Sequence, residues 1–285
     1  MDKAKINGVE LEYEAAGSGE PVLLIGTGPI ADSFVPFLSE KALVERYRLI
    51  RYRQRRMGNG APSPVGPVPV SYEQHAADAA ALLGHLGVSR AHVAGHSTGA
   101  VIAVQLAAHR PEMVHTLALL EPTLVGVPSA AAFLPSTAAV LDALGPALAA
   151  YGSGDREEAM AAFLSVACNL DRESCLTVIE KHVPGGVTQA MSYGSDNWFG
   201  SYLPALNAWR FGSEEASAIS QPVLSVLGTE SGPLFEEGHA LLHFWFPQVE
   251  DCTIAGVAHL LHMQHPGPVA QAVAEFFTRH PITGN

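Results

Sequence analysis

The pentapeptide Gly95-His96-Ser97-Thr98-Gly99 reads G-x-S-x-G, a spacing that can expose a serine hydroxyl as a nucleophile. The apolar run Ala91-His92-Val93-Ala94 precedes it and a helix-forming run, Ala100 to Ala108, follows. The motif therefore sits where a strand would turn sharply into a helix. Such a turn holds the serine in sparsely populated backbone, and glycine is needed on either side because a Cβ there would collide with the adjacent strand or helix. With 27 glycines in 285 residues the pattern alone is weak, so the flanks carry the assignment.

A serine hydroxyl attacks poorly at neutral pH unless a base lies within hydrogen-bond reach and a carboxylate orients that base. Of 13 histidines, His259 in Gly256-Val257-Ala258-His259 lies between the last strand-like run and the last helix-like run, where a loop can return it over Ser97. His262 and His265 are a helical turn or more away and point elsewhere. His75, His85, His182 and His280 read as surface or core rings. Two carboxylates end suitable apolar runs. Glu121 follows Thr116-Leu117-Ala118-Leu119-Leu120 and precedes the strand-stopping Pro122, and a carboxylate placed directly after buried apolar residues is costly without a partner. Glu230, in Gly228-Thr229-Glu230-Ser231, is the alternative, although Ser231 holds the position more usual for the acid. Glu121 is favoured. The oxyanion of a tetrahedral intermediate needs fixed N–H donors, expected from Thr98 after the nucleophile and from Gly28 in the loop Gly26-Thr27-Gly28-Pro29.

The elements that must hold these residues alternate between strand and helix. Val9 to Ala15 and Pro21 to Ile25 read as a hairpin across Gly17-Ser18-Gly19, followed by a helix from about Ala31 to Arg46 and a strand from Tyr47 to Tyr52. The loop from Gly58 to Pro69 is too rich in glycine and proline to continue either element. A helix from Tyr72 to Leu86 leads to the strand at Ala91, and further strands are expected at Thr116–Leu120, Pro222–Leu227 and Val249–Ala255, with a closing helix from Pro266 to Thr278. Strict alternation implies a mostly parallel sheet covered on both faces. Between Glu121 and Pro222 it stops for a stretch too long to be a loop. Helices at Ala130–Tyr151, Arg156–Asn169 and Glu173–Lys181 are expected there, followed by the aromatic stretch Tyr193, Trp198, Phe199, Tyr202 and Trp209. The organisation is a core of residues 1–121 and 222–285 with a helical cap insertion, 122–221, over the edge where Ser97 points.

Hydrophobic residues at 48% suffice for a sizeable core, and a formal charge of −12 argues against nucleic acid or an anionic membrane as partner. No apolar run approaches the ~20 residues of a membrane span and the N-terminus has no signal-peptide core, so a cytoplasmic location is expected. Cys168, Cys175 and Cys252 read as buried free thiols in no metal-ligand spacing, and neither metal nor cofactor is expected. Arg46, Arg48, Arg51, Arg53, Arg55 and Arg56 form a cationic stretch. Pairing with acidic neighbours such as Glu40 and Glu45 is favoured over reception of an anionic substrate.

With its elbow, late histidine and interrupted strand order, the chain resembles the α/β-hydrolase superfamily over nearly its whole length. Within it, the order Ser97, Glu121, His259, with the acid after the sixth strand, resembles the fungal zearalenone lactonases, which open a macrocyclic resorcylate lactone. Gly17-Ser18-Gly19 and Gly28 are similar too. Gly26-Thr27 and Arg53 depart from the pattern, where a His-Gly pair and an aspartate are usual. The resemblance implies a cap tryptophan over the substrate, for which Trp198 is the nearest candidate, with core packing as its rival role. It also implies a cofactor-free serine hydrolase acting through an acyl-enzyme on a carboxylic ester or lactone of a moderately large apolar molecule. Carbon–carbon bond hydrolysis, cofactor-free dioxygenation and non-catalytic ligand reception are the alternatives the superfamily allows. Self-association into a homo-oligomer is left open.

Overall fold

The computed structural model describes residues 1–55, 57, 69–125, 127, 133 and 135–282. Arg56, the expected loop from Gly58 as far as residue 68, and residues 130–132 and 134 of the expected first cap helix lie outside them, as does the side chain of Tyr193. Among the described residues one sheet contains β1 (Asp2–Ile6), β2 (Val9–Ala16), β3 (Glu20–Ile25), β4 (Tyr47–Tyr52), β5 (Ala91–His96), β6 (Val114–Leu120), β7 (Val223–Gly228) and β8 (Glu250–Ile254). The strand order is β1-β2-β4-β3-β5-β6-β7-β8. β2 runs antiparallel to both neighbours and the other pairings are parallel.

The two-residue period of a strand sends alternate side chains into separate cores. Leu23, Ile25, Val93, Leu117 and Leu119 pack on one face with α1 (Tyr72–His85) and α2 (Thr98–His109). Val22, Leu24, Ala94, Ala118 and Leu120 pack on the other. The central strands are thus buried on both sides and read as continuous apolar runs.

Between β6 and β7 come α3 (Thr137–Ala143), α4 (Gly145–Ser153), α5 (Arg156–Cys168) and α6 (Arg172–His182). The Asp155 and Asp171 side chains cap α5 and α6 by accepting the N–H groups of Glu158 and Ser174, as short polar side chains do at helix starts. A helical ribbon, 186–208, follows with two π-type segments, Ala190–Gly194 and Trp198–Tyr202. A third core joins Phe163 of α5 and Trp198 and Tyr202 of the ribbon to Ile30 after β3 and to Leu260 and Met263 after β8. The helices therefore rest on the loops at the C-terminal edge of the sheet. After β7 comes α7 (Pro233–Trp245), and α8 (Pro266–Arg279) closes the chain on the face opposite α1 and α2, with Val269, Val273 and Phe277 in the second core. Among the described residues no helix is long and apolar enough to cross a membrane.

Three expectations are corrected. The hairpin is β1–β2, with Ile6 opposite Val9 across Asn7-Gly8, both at positive φ (44° and 81°) as a tight two-residue turn requires. β3 pairs with β4 and β5, and Gly17-Ser18-Gly19 carries the chain past β4, so close that a Cβ on Gly17 would lie 2.3 Å from the Tyr47 carbonyl oxygen. The continuous helix from Ala31 to Arg46 is instead a set of turns, a 3₁₀ segment at Val35–Ser39 and a short helix at Lys41–Val44. Pro36, which lacks an N–H, suits the first turn of the 3₁₀ segment and would break a helix running through it. The described part of the first cap helix is divided at Leu144 into α3 and α4, where Gly145-Pro146 begins a new helix.

Three arginines of the stretch are held in ion pairs, with partners other than the expected Glu40 and Glu45. Arg51 pairs with Glu14 and Asp32, Arg53 with Glu12 and Asp32, and Arg55 with Asp78. Burial pushes the Asp32 carboxyl up, but hydrogen bonds from Arg53 and Arg51 together with their charges outweigh it and hold the group below the usual carboxylate range.

Candidate active site

Ser97 is the hinge between β5 and α2, with φ 56° and ψ −120°. For a residue bearing a Cβ this is strained backbone, sustained only because both flanking glycines allow close packing. A Cβ on Gly95 would lie 2.5 Å from the Gly99 carbonyl oxygen, and one on Gly99 would lie 2.1 Å from the Ile25 carbonyl oxygen. Ser97 thereby faces a cavity of about 660 Å³ over the sheet's C-terminal edge.

Glu121 directly follows β6 at φ 47°, another strained non-glycine position, and is 3% exposed. Its Oε2 accepts the His259 Nδ1–H at 2.7 Å. Its Oε1 accepts the Gly228 N–H at 2.7 Å and the Ser231 hydroxyl at 2.5 Å. The buried carboxylate is thus paired and hydrogen-bonded on both oxygens, which is what a charge removed from water requires. Glu230 is exposed, its N–H donates to the Val257 carbonyl and its own carbonyl accepts from Asn169 Nδ2, so its chain position serves the loop. The structure brings Glu121, and not Glu230, to His259. Ser231, which holds the position expected for an acid, donates to the Glu121 carboxylate instead.

Sequence reasoning missed three groups around this pair. His96 Nε2–H donates to the His259 carbonyl at 2.7 Å and its ring lies 4.6 Å from the His259 ring, so the variable residue of the pentapeptide anchors the backbone of His259. Burial, followed by the neighbouring His262 and His259, pushes the His96 pKa well below its usual value and keeps the ring neutral. Phe235, at the start of α7, stacks on His259 at 3.9 Å between centroids and 13° between planes. Thr123 Oγ1 lies 3.0 Å from Ser97 Oγ, so the serine hydroxyl rests on a hydroxyl two residues beyond Glu121. The buried polar residue at the end of β5 was a signal for the first, while Phe235 and Thr123 meet the site only through the fold.

The expected oxyanion donors meet each other. Gly28 N–H donates to Thr98 Oγ1 at 2.9 Å, while the Thr98 N–H is the first of α2 and has no partner within its helix. An incoming oxyanion would compete with the Thr98 hydroxyl for the Gly28 N–H. The loop is braced by Gln54, whose Nε2 donates to the Gly26 carbonyl at 2.6 Å and whose Oε1 accepts from Tyr202 OH. Gly28 also needs its missing side chain, since a Cβ would lie 2.8 Å from Tyr202 and 3.2 Å from Trp198.

Trp198 lines the cavity and also packs on Phe163 at 4.5 Å. Its buried Nε1 has no hydrogen-bond partner among the described residues. It opens a π-type turn, a local distortion common where helices meet functional sites. Ile30, Val140, Leu144, Leu164, Leu206 and Phe235 give the cavity an apolar lining, and Ser97, Thr123 and His259 are polar points on its floor. Cys168 and Cys175 are buried free thiols, the former at the cavity wall, and Cys252 is a partly buried free thiol.

Residues 21–266 match the family described as alpha/beta hydrolase fold. RutD of Azorhizobium caulinodans, named for carbamate hydrolysis, is 36% identical over 112 residues, 39% of this chain and 40% of that protein, so the match spans less than half of the relative. A thermophilic esterase from Thermogutta terrifontis superposes with TM-score 0.75 at 22% identity, over 99% of this chain and all of that one. An enol-lactonase from Burkholderia xenovorans LB400 does so with TM-score 0.69 at 22% identity, over 97% and 100% of the two chains. At such identities these two structures share the fold, and the matched family spans most of the sequence. The chain belongs to the alpha/beta hydrolase fold family.

Proposed function

We propose that this chain is a serine hydrolase that cleaves a carboxylic ester or lactone of a moderately large, largely apolar molecule through an acyl-enzyme. The observation that carries the reading is the buried 2.7 Å bond between Glu121 Oε2 and His259 Nδ1, beside a serine strained into an elbow on the floor of an apolar cavity of about 660 Å³. That volume suits a drug-sized ligand fixed by few polar groups. Ser97 Oγ leaves Thr123, gives its proton to His259 Nε2 and bonds to the substrate carbonyl carbon. The carbonyl oxygen becomes an oxyanion held by the N–H groups of Thr98 and Gly28, the latter released from the Thr98 hydroxyl. The imidazolium, stabilised by Glu121, protonates the departing alkoxide, leaving an ester between Ser97 and the acyl group. Water then gives a proton to His259 as its oxygen bonds to the acyl carbon, and the imidazolium returns that proton to Ser97 Oγ as the bond between the serine and the acyl group breaks, releasing the carboxylic acid. With a lactone, the alcohol stays attached to the acyl chain and leaves with it.

The test is turnover of p-nitrophenyl esters of increasing acyl length, alongside a panel of lactones, by the wild-type chain and Ser97→Ala. Wild-type hydrolysis with mass-spectrometric detection of an acyl group on Ser97, both lost in Ser97→Ala, supports the reading. Retained turnover in Ser97→Ala removes the serine from the mechanism. Oxygen consumption or scission of a vinylogous diketone without ester cleavage replaces the reading by one of the other chemistries of the superfamily.

A further inference from the structure

Away from the catalytic cavity, three potential metal ligands converge between α7 and the sheet edge. His239 and His243 are four residues apart on α7, hence on one helix face, and Asp251 lies on β8. His243 Nε2 is 3.0 Å and His239 Nε2 3.4 Å from the same atom, Asp251 Oδ1. All three ligand atoms lie within 4.8 Å of one another. Nitrogen or oxygen ligands held about 2.0–2.1 Å from a tetrahedral cation are separated by about 3.3 Å, so both measured distances are close to the edge of such a tetrahedron.

The surroundings fit the same purpose. His239 Nδ1 is 2.7 Å from Ser225 Oγ on β7. Donation of the Nδ1–H to that hydroxyl leaves the Nε2 lone pair directed at a carboxylate oxygen, an arrangement that a cation between them relieves. A hydrogen bond to the remote ring nitrogen is also the usual means by which proteins orient a metal-bound imidazole. The side chains of His239, His243 and Asp251 are 23%, 42% and 44% exposed, which leaves an entry path and room for water as a further ligand.

We propose that His239, His243 and Asp251 bind one divalent transition-metal ion of the zinc class. Two imidazoles and one carboxylate select such an ion over calcium or magnesium, which take oxygen ligands. The bound ion ties α7 to β8 directly and to β7 through Ser225. Phe235, the residue stacked on His259, lies one helical turn before His239 on the same helix, so the ion also steadies the helix that buttresses the base.

The experiment is calorimetric titration of the chelator-stripped full chain with zinc chloride, with the visible spectrum of the cobalt(II) form as a second readout of coordination. One saturable zinc per chain is expected, with at least tenfold weaker binding in His243→Ala and in Asp251→Asn. Ser225→Ala should weaken binding about 10- to 100-fold, as loss of an outer hydrogen-bond partner does. His85→Ala, at a surface histidine elsewhere, should bind as the wild type does. His243 is exposed, so its variant should keep the wild-type circular dichroism spectrum and test binding alone. Absence of saturable zinc binding, or binding unchanged in both His243→Ala and Asp251→Asn, overturns the proposal and leaves a hydrogen-bonded surface cluster.

Discussion

Replacing Glu121 by glutamine separates two accounts of what this carboxylate does, because its surroundings fix how the amide must sit. Oε1 accepts from the Gly228 N–H and the Ser231 hydroxyl, whereas Oε2 accepts from His259 Nδ1. A glutamine has one acceptor oxygen. Turned toward Gly228, that oxygen keeps both donors satisfied and presents its NH₂ to His259. Turned the other way, the NH₂ meets the backbone N–H of Gly228, which cannot rotate, at a cost of about 1–3 kcal/mol for a buried unmade bond. The first orientation therefore prevails, His259 Nδ1 must accept rather than donate, and the proton moves to Nε2, where a base for Ser97 is needed. Loss of a charged hydrogen bond alone would cost about 1.5–3 kcal/mol, on the order of 10- to 150-fold in rate. A trapped tautomer costs about 10⁴-fold, or about 5.4 kcal/mol. The rate of Ser97 labelling by a fluorophosphonate reports acylation without the physiological substrate. We expect a fall of three to four decades in Glu121→Gln and a change within about twofold in Glu230→Gln, with both variants folded by circular dichroism. A loss under tenfold in Glu121→Gln, or a larger loss in Glu230→Gln, would refute this reasoning.

Other consequences follow from single contacts. His96→Phe keeps the ring but removes the bond to the His259 carbonyl, so labelling of Ser97 should slow by about 2- to 13-fold, the worth of one hydrogen bond at 0.5–1.5 kcal/mol, and an unchanged rate would show that His259 needs no such anchor. Gly99→Ala places a methyl 2.1 Å from the immovable Ile25 carbonyl oxygen, and soluble protein of wild-type melting temperature would contradict the packing described. Burial lowers the His75 pKa to about 4, so below pH 6.5 the unfolded chain binds a proton that the native chain refuses, and stability falls as pH drops. From a usual value of 6.5 this one residue costs about 2 kcal/mol at pH 5, and urea unfolding of His75→Gln should show a correspondingly flatter dependence between pH 7 and 5.

What could be read from the sequence was local, and what escaped it was carried by distant segments. The elbow is a five-residue problem in sterics, so glycine spacing and flanking runs suffice to place Ser97 between β5 and α2. The central strands announce themselves because burial on both faces leaves nothing but apolar residues in Val22–Ile25 and Leu117–Leu120. The β1–β2 hairpin was legible in Asn7-Gly8, the strongest short hairpin signal, yet the glycine pair at 17 and 19 competed with it. Nothing local distinguishes a glycine that closes a hairpin from one that lets the chain slip beneath the Tyr47 carbonyl. The segment from Ala31 to Arg46 has helical composition, but Pro36 and the pull of Arg51 and Arg53 on Asp32 organise it otherwise, and those arginines stand on and just after β4, beside β2, which carries their other partners Glu12 and Glu14. The acid shows the same division. Desolvation at the end of β6 was enough to single out Glu121 as needing a partner, but the atoms that decide its chemistry, Gly228 N–H and Ser231 Oγ, are 107 and 110 residues further along. Glu230 drew attention because it occupies the strand end where an acid is usual, and that strand end supplies hydrogen-bond donors instead. In the proposed triad the carboxylate follows β6 while two of its three donors, Gly228 N–H and Ser231 Oγ, stand at the end of β7, so what marks Glu121 for the role is a place where both oxygens are satisfied rather than the strand it follows.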